Sequence, residues 1–365
     1  MIAAVETTVV SLEVNRDVMV HGARGISHAS SSFVLVRVTT TDGVSGFGEV
    51  SATPLWSGED AETSTHLIRD LMRPALVGQQ LTAVAALTAR LDRVVAGNPF
   101  TKAGVNMALW DALGRVRGMR VAELLGGPFR DEVAVKFSLS GNGDELENCY
   151  EAVVRRGFRS FKVKVGLAVE DDVERFRRVR ELAGGSAFIG ADANAGWTRL
   201  DATRAVPRLD ELGTAFVEQP LSPTDLDGLR DLRRFGVPIV ADESVFSLGD
   251  VARVVRADAA DAVSVYVGKS GGLERALLAM MTLSVFGVGA LVGSNGEFGL
   301  GAAAQIHVAC ACERLASIPC DIIGHHYYDE DVLAQPVPID GLHAHLPSGS
   351  GLGVELASEL LDRFR

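Results

Sequence analysis

Six charged residues recur at a nearly constant interval: Lys164, Asp192, Glu218, Asp242, Lys269 and Glu297 are separated by 28, 26, 24, 27 and 28 positions. Each lies at or just past the C-terminal end of a short apolar run that reads as a strand, at 160–165, 187–191, 215–218, 238–241, 262–267 and 290–294. A further run at 135–139 precedes them. Amphipathic stretches separate the runs; Val173, Phe176, Val179 and Leu182, for example, make one apolar stripe among Arg and Glu. Strand-helix units of roughly 30 residues predict an α/β fold with parallel strands wound into a TIM-type barrel. Strand ends on one rim of such a barrel converge on a single pocket, so residues distant in sequence become one site.

The first third reads differently. The segment 32–50 is rich in Val, Phe and Thr around Asp42-Gly43 and predicts an antiparallel hairpin. Helical spacing follows at 61–72, 81–95 and 102–117. Leu125-Gly126-Gly127-Pro128 then breaks the pattern and is taken as a domain boundary.

Among 365 residues the net charge is -12, which argues against a nucleic-acid partner, because that affinity rests on cations neutralising phosphates. The four cysteines, Cys149, Cys310, Cys312 and Cys320, form no C-x-x-C pair, so they read as core residues in a reducing cytoplasm. The N-terminus has no basic leader. No charge occurs from 276 to 296, but Gly287-Val288-Gly289 divides that stretch into a helix-length and a strand-length piece, which argues against a membrane span.

A charge ending an apolar strand is costly to bury unless it is paired or holds a metal. Asp192 alone, in Ala-Asp-Ala-Asn, could simply cap the next helix. In register, Asp192, Glu218 and Asp242 form a hard oxygen donor set suited to magnesium, with manganese as the alternative. Lys162 and Lys164 lie two apart on one strand and share a face. Phe161, Val163 and Val165 being apolar, the lysines are expected to point into the barrel; the other register would send them to the helices. Repulsion and burial should then lower a lysine pKa toward that of a general base. Lys269, four strands further round, would approach a central substrate from the opposite side. Removing a proton α to a carboxylate needs a base and electrostatic stabilisation of the ene-diolate, which lysine and a Lewis-acid cation together supply.

Taken in order, Lys162-x-Lys164, Asp192-x-Asn194, Val-Glu-Gln-Pro at 217–220, Ala-Asp-Glu-Ser at 241–244 and Lys269 resemble the muconate lactonizing subgroup of the enolase superfamily. Gly46-Phe47-Gly48-Glu49 and Gly351-Leu352-Gly353-Val354-Glu355 extend the resemblance over nearly the whole chain. It implies a modified (β/α)7β barrel at 128–330, an N-terminal α+β capping domain at 1–127, and a segment at 331–365 that returns to the cap. It also implies Asp192, Glu218 and Asp242 as metal ligands, Lys164 and Lys269 as acid/base pair, Lys162 holding the substrate carboxylate, Glu243 paired with Lys269, Asn194 near the site and Glu297 as a site residue. The partner would be a small carboxylate and the assembly a homo-oligomer. Capping loops would complete the pocket, with His21, Arg24, His28 and Trp56 as candidates for reading the substrate's far end.

Members of that family are cycloisomerases, racemases, epimerases, dehydratases or synthases, and fold alone does not choose. An isomerase is expected, with lysines on both faces favouring a racemase or epimerase over a cycloisomerase. The alternatives are a dehydratase in which Lys269 acts as the acid, and a non-catalytic carboxylate-binding relative. Dipeptide epimerases of the family have Asp-x-Asp at the last barrel strand, whereas Asp321-Ile322-Ile323 supplies one acid. His325-His326 reads as no metal pair, and the glycines at 349–353 as no phosphate loop.

Overall fold

The structure, a computed structural model, describes residues 1–22 and 29–365. Arg24 and His28 lie outside the described residues. Strands β1 (Ile2–Glu13), β2 (Ser30–Thr40) and β3 (Ser45–Val50) form an antiparallel sheet in that order. The hairpin turns at Gly43, where φ is 81° and the Thr40 and Val44 backbones pair. One face of this sheet packs on the helix Pro99–Arg117 through Gly46 and Gly48, where the backbones approach too closely for any side chain. The helix is buried almost all round because its opposite side meets the barrel, Phe100 lying against Gly268. The helices expected at 61–72 and 81–95 are present, the first running from Ala61–Leu67 through a π turn at Ile68–Met72.

The chain then passes through β4 (Glu132–Ala134) into seven parallel strands: β5 (Phe137–Leu139), β6 (Ser160–Lys164), β7 (Phe188–Asp192), β8 (Val217–Glu218), β9 (Ile239–Ala241), β10 (Ala262–Val265) and β11 (Gly289–Val292). Sheet order follows chain order, with helical crossovers joining successive strands. The ring closes without a formal eighth strand: Asp321 N donates to Val292 O at 2.8 Å, and Lys136 N to Cys320 O at 2.9 Å. Strand β12 (His343–His345) pairs antiparallel with β4. The chain end returns to the cap, where Thr7 N donates to Arg365 O and Leu352 N to Asp111 Oδ1.

The uncharged stretch 276–296 is divided as expected, into the helix Leu273–Val285 and β11. Among the described residues no helix is long and apolar enough to cross a membrane. All four cysteines are free and buried. Strands β1, β4 and β12 escaped sequence reading, as did the length of β10, which stops at Val265 because Val267–Ser270 coils into one helical turn carrying Lys269.

Candidate active site

The register of the parallel strands gathers the expected residues. Lys164 pairs with Asp192 and Asp192 with Glu218 across adjacent strands, while Glu218 pairs with Val240, two residues before Asp242. Alternation does the rest. Phe161, Val163 and Val165 are buried in the apolar layer, so Lys162 and Lys164 point inward. They border a cavity of about 180 Å³, together with Ser138, Asp192, Asn194, Glu243 and Tyr266.

Lys162 is the hub of the cavity floor. Its Nζ lies 3.1 Å from Glu218 Oε1, 3.2 Å from Asp321 Oδ1 and 3.4 Å from Asp192 Oδ2. The lowered lysine pKa expected from the Lys162–Lys164 pair is overturned for Lys162. Burial does oppose its charge, but Asp321, Glu218 and Asp192 outweigh burial and raise the pKa well above the ordinary lysine value. Repulsion between the two amines is answered by acids that alternation on a single strand does not reveal.

Lys164 is the more open amine, with two acceptors: Asp192 Oδ2 at 2.7 Å and Asn194 Oδ1 at 2.9 Å. Burial would raise the Asp192 pKa, but Lys164 and Lys162 outweigh it and bring it down to about 2. Glu218 goes the other way, to about 8: burial, with Asp192, Asp321 and Asp242 nearby, exceeds what Lys162 returns. The floor is therefore short of positive charge. Asp321 is satisfied by two lysines, its Oδ2 accepting from Lys136 Nζ at 2.8 Å.

Lys269 differs from Lys164. Its Nζ is sealed and makes three contacts, to Asp242 Oδ1 at 2.5 Å, Asp242 O at 2.8 Å and Ser264 O at 2.8 Å. It sits 4.1 Å from the centre of the Tyr266 ring and 5.7 Å from that of Trp56, two rings stacked 5.1 Å apart that line the cavity in front of it. Tyr266 Oη also donates to Asp242 Oδ2 at 2.9 Å. The implied Glu243–Lys269 pair is not formed. Glu243 Oε1 accepts from Asn194 Nδ2 at 3.2 Å, because Asp242 and the Ser264 carbonyl already fill the Lys269 donors.

Among the described residues no three His, Cys, Asp or Glu side chains close around one point as a ready-made metal cage; Asp192, Glu218 and Asp242 are paired instead with the lysines and Tyr266. Glu297 does not line the cavity. It accepts from Ser294 Oγ at 2.5 Å and from Asn295 N, and so braces the turn 294–296 that does. Of the capping candidates, Trp56 is in the cavity wall, whereas His21 lies beside a separate pocket with Nε2 3.4 Å from Glu145. The His325 and His326 ring centres lie 4.1 Å apart at a 33° tilt, and His326 Nε2 bonds Ile339 O.

Sequence reasoning missed Lys136, Ser138, Tyr266 and the pairing role of Asp321. Lys136 and Ser138 were findable, since they alternate with Val135, Phe137 and Leu139 as Lys162 and Lys164 alternate with their apolar neighbours. Tyr266 carried no such signal.

Comparison with known proteins agrees with this geometry. Residues 4–126 match the mandelate racemase / muconate lactonizing enzyme N-terminal domain family, and residues 144–360 the enolase C-terminal domain-like family. Muconate cycloisomerase 1 of Rhodococcus opacus is 35% identical over 361 residues, covering 97% of this chain and 96% of that one. L-Ala-D/L-Glu epimerase of Clostridium acetobutylicum is 31% identical over 326 residues, covering 88% and 90%. Muconate lactonizing enzyme from Pseudomonas fluorescens, complexed with muconolactone, has the same fold with a TM-score of 0.93 at 30% identity, covering 100% of this chain and 99% of that one. With both domains matched and the lysines and acids gathered on one barrel rim, the chain belongs to the muconate lactonizing subgroup of the enolase superfamily.

Proposed function

We propose that this isomerase moves a proton at the carbon α to the carboxylate of a small acid, with Lys164 as the proton-handling amine, and that it is a cycloisomerase. One observation carries the choice. An ammonium has three donors. Those of Lys269 are all engaged behind the Trp56–Tyr266 stack, whereas among the described residues Lys164 has two acceptors, which leaves one of its donors for the cavity it borders. A single accessible amine suits proton transfer on one face, as in ring closure and its reverse, better than the two-base exchange a racemase needs. The 35% identity to a muconate cycloisomerase points the same way. Lys162, bordering the cavity, supplies positive potential for the substrate carboxylate.

Asp192, Glu218 and Asp242 fit a divalent cation, in our reading magnesium, with manganese as the substitute. All three are buried, contribute only oxygen, and stand in a cluster where Glu218 is left short of compensating charge. When bound, the ion acts as a Lewis acid toward the substrate carboxylate. Asp242 would hold it only by giving up contacts to Lys269 and Tyr266.

A second reading, a 1,1-proton-transfer racemase or epimerase, keeps support from the epimerase relative and from lysines on both sides of the acids. A dipeptide substrate is disfavoured, because Ile323 lines the cavity where a second acid would bind an ammonium, and Asp321 is taken up by Lys136 and Lys162. We read residues 1–127 as cap, 128–330 as barrel and 331–365 as the return segment, in a cytoplasmic homo-oligomer.

The test is incubation with magnesium in deuterated water with cis,cis-muconate and a panel of α-substituted acids. Lactone formation or α-deuteration is expected in the wild type, with a loss of about 100-fold or more in Lys164→Ala. Absence of both with every acid, or full activity in that variant, would overturn the reading.

A further inference from the structure

Asn194 bridges Lys164 and Glu243. Its Oδ1 accepts from Lys164 Nζ at 2.9 Å and its Nδ2 donates to Glu243 Oε1 at 3.2 Å. The chemistry of the partners sets the amide's direction: an ammonium only donates and a carboxylate only accepts, so both contacts coexist in one orientation alone. The backbone holds that amide in place. Asn194 and Ala195 have φ of 43° and 61°, in the left-handed region, and such strain persists where the surroundings over-determine it. Asn194 N donates to Asp192 Oδ1 at 2.9 Å and Ala195 N to Gln219 O at 2.8 Å, tying the turn to β7 and to the residue after β8. A Cβ on Gly22 would lie only 3.3 Å from Asn194 Oδ1, so the cap covers the amide closely.

Among the described residues Lys164 has one other partner, Asp192. Without Asn194 its amine would pivot about that single contact.

We propose that Asn194 is a positioning residue that aims the Lys164 amine into the cavity, and that Glu243 sets the orientation of Asn194. This rests on Lys164 being the proton-handling group. Glu243, implied by resemblance to serve Lys269, here serves the opposite lysine.

The experiment reads the order of the Lys164 ammonium by ¹⁵N relaxation, its signal identified by loss in Lys164→Arg, alongside turnover of cis,cis-muconate with magnesium. Asn194→Gly suits the positive φ and deletes only the amide; it should loosen Lys164 and lower kcat by about 100-fold with KM little changed. Asn194→Asp should do the same, because it sets two carboxylates against each other. Adding Glu243→Gln to Asn194→Asp restores a donor facing an acceptor, and should recover both the order and most of the lost kcat. A merely structural role would not be rescued by exchanging the two groups. Unchanged Lys164 order in Asn194→Gly and Asn194→Asp, or no recovery in the folded double variant, would overturn the proposal. If wild type leaves muconate untouched, the proposed activity on that acid fails, and the relaxation data alone still decide the positioning.

Discussion

Lys162 and Glu218 face each other across the cavity floor, Nζ lying 3.1 Å from Oε1 and 3.2 Å from Oε2, at 4% and 0% exposure. Lys162 also lies 3.2 Å from Asp321 and 3.4 Å from Asp192. Removing one member of a buried pair leaves its charged partner dry, which costs about 3–5 kcal/mol. Burial brings the Glu218 pKa up to about 8, so at pH 7 the uncompensated charge falls on Asp192 and Asp321. Lys162→Met should be destabilised by about 3–5 kcal/mol in urea denaturation at pH 7, and adding Asp321→Asn should regain part of the loss. A single variant as stable as wild type would show that these acids do not depend on Lys162.

Magnesium should raise the melting temperature, since an ion bound by the folded state at 100 times its Kd stabilises by about 2.7 kcal/mol. Calorimetry with and without the ion, and with EDTA, reads this directly. Asp192→Asn and Asp242→Asn should abolish the rise. A melting temperature indifferent to both magnesium and manganese would remove these three carboxylates as ligands.

Lys269→Ala separates the two isomerase readings. For a cycloisomerase working through Lys164, activity should fall about tenfold or less, from the loss of packing beneath Trp56 and Tyr266 and of a charge beside Asp242. In a two-base racemase the same change should cost about 1000-fold or more in both directions. Rates with a responsive substrate, measured from each enantiomer where the acid is chiral, decide between them.

Gly48→Ala should be severely destabilising. A Cβ there would sit 2.0 Å from Gly104 O and 2.7 Å from Ala108 N, both helix backbone that no side-chain rotation can move. Overpacking of this kind costs about 1–3 kcal/mol or more. Gly249→Ala, where a Cβ meets only Ser247 Oγ at 3.5 Å, is the control expected within about 0.5 kcal/mol of wild type.

His307 makes stability depend on pH. Its Nδ1 accepts from Ala122 N at 3.0 Å and its Nε2 lies 3.1 Å from Leu352 O, so the neutral ring joins a barrel helix to the last helical turn of the cap and to the returning C-terminal chain. Burial pushes its pKa from 6.5 down to about 4. Below pH 6.5 the unfolded chain binds a proton that the folded ring refuses. The contribution is thus intact above pH 6.5 and lost as pH falls toward 4, at up to about 1.4 kcal/mol per pH unit. Denaturation between pH 4.5 and 7.5 should show a shallower slope in His307→Gln.

The strand ends and the inward direction of Lys162 and Lys164 were legible because they depend on near neighbours: two-residue alternation, turn glycines, and one strand-helix unit after another. The apolar stripe of the helix Val169–Ala183 was legible for the same reason. Strand β1 was not, because its alternation is loose and its partner β2 begins only at Ser30.

What the sequence determined by itself was the barrel, the cap and the set of chemical groups on one rim. Which amine meets which carboxylate was decided only when the ring closed. That closure brought Asp321 between Lys136 and Lys162, turned Glu243 to Asn194 rather than to Lys269, and placed Trp56 of the cap before the Lys269 amine. Local periodicity says which side of a strand a group leaves from. The strength and sign of a buried charge interaction depend instead on a few ångströms of separation and on exclusion of water, and both are properties of the assembled core.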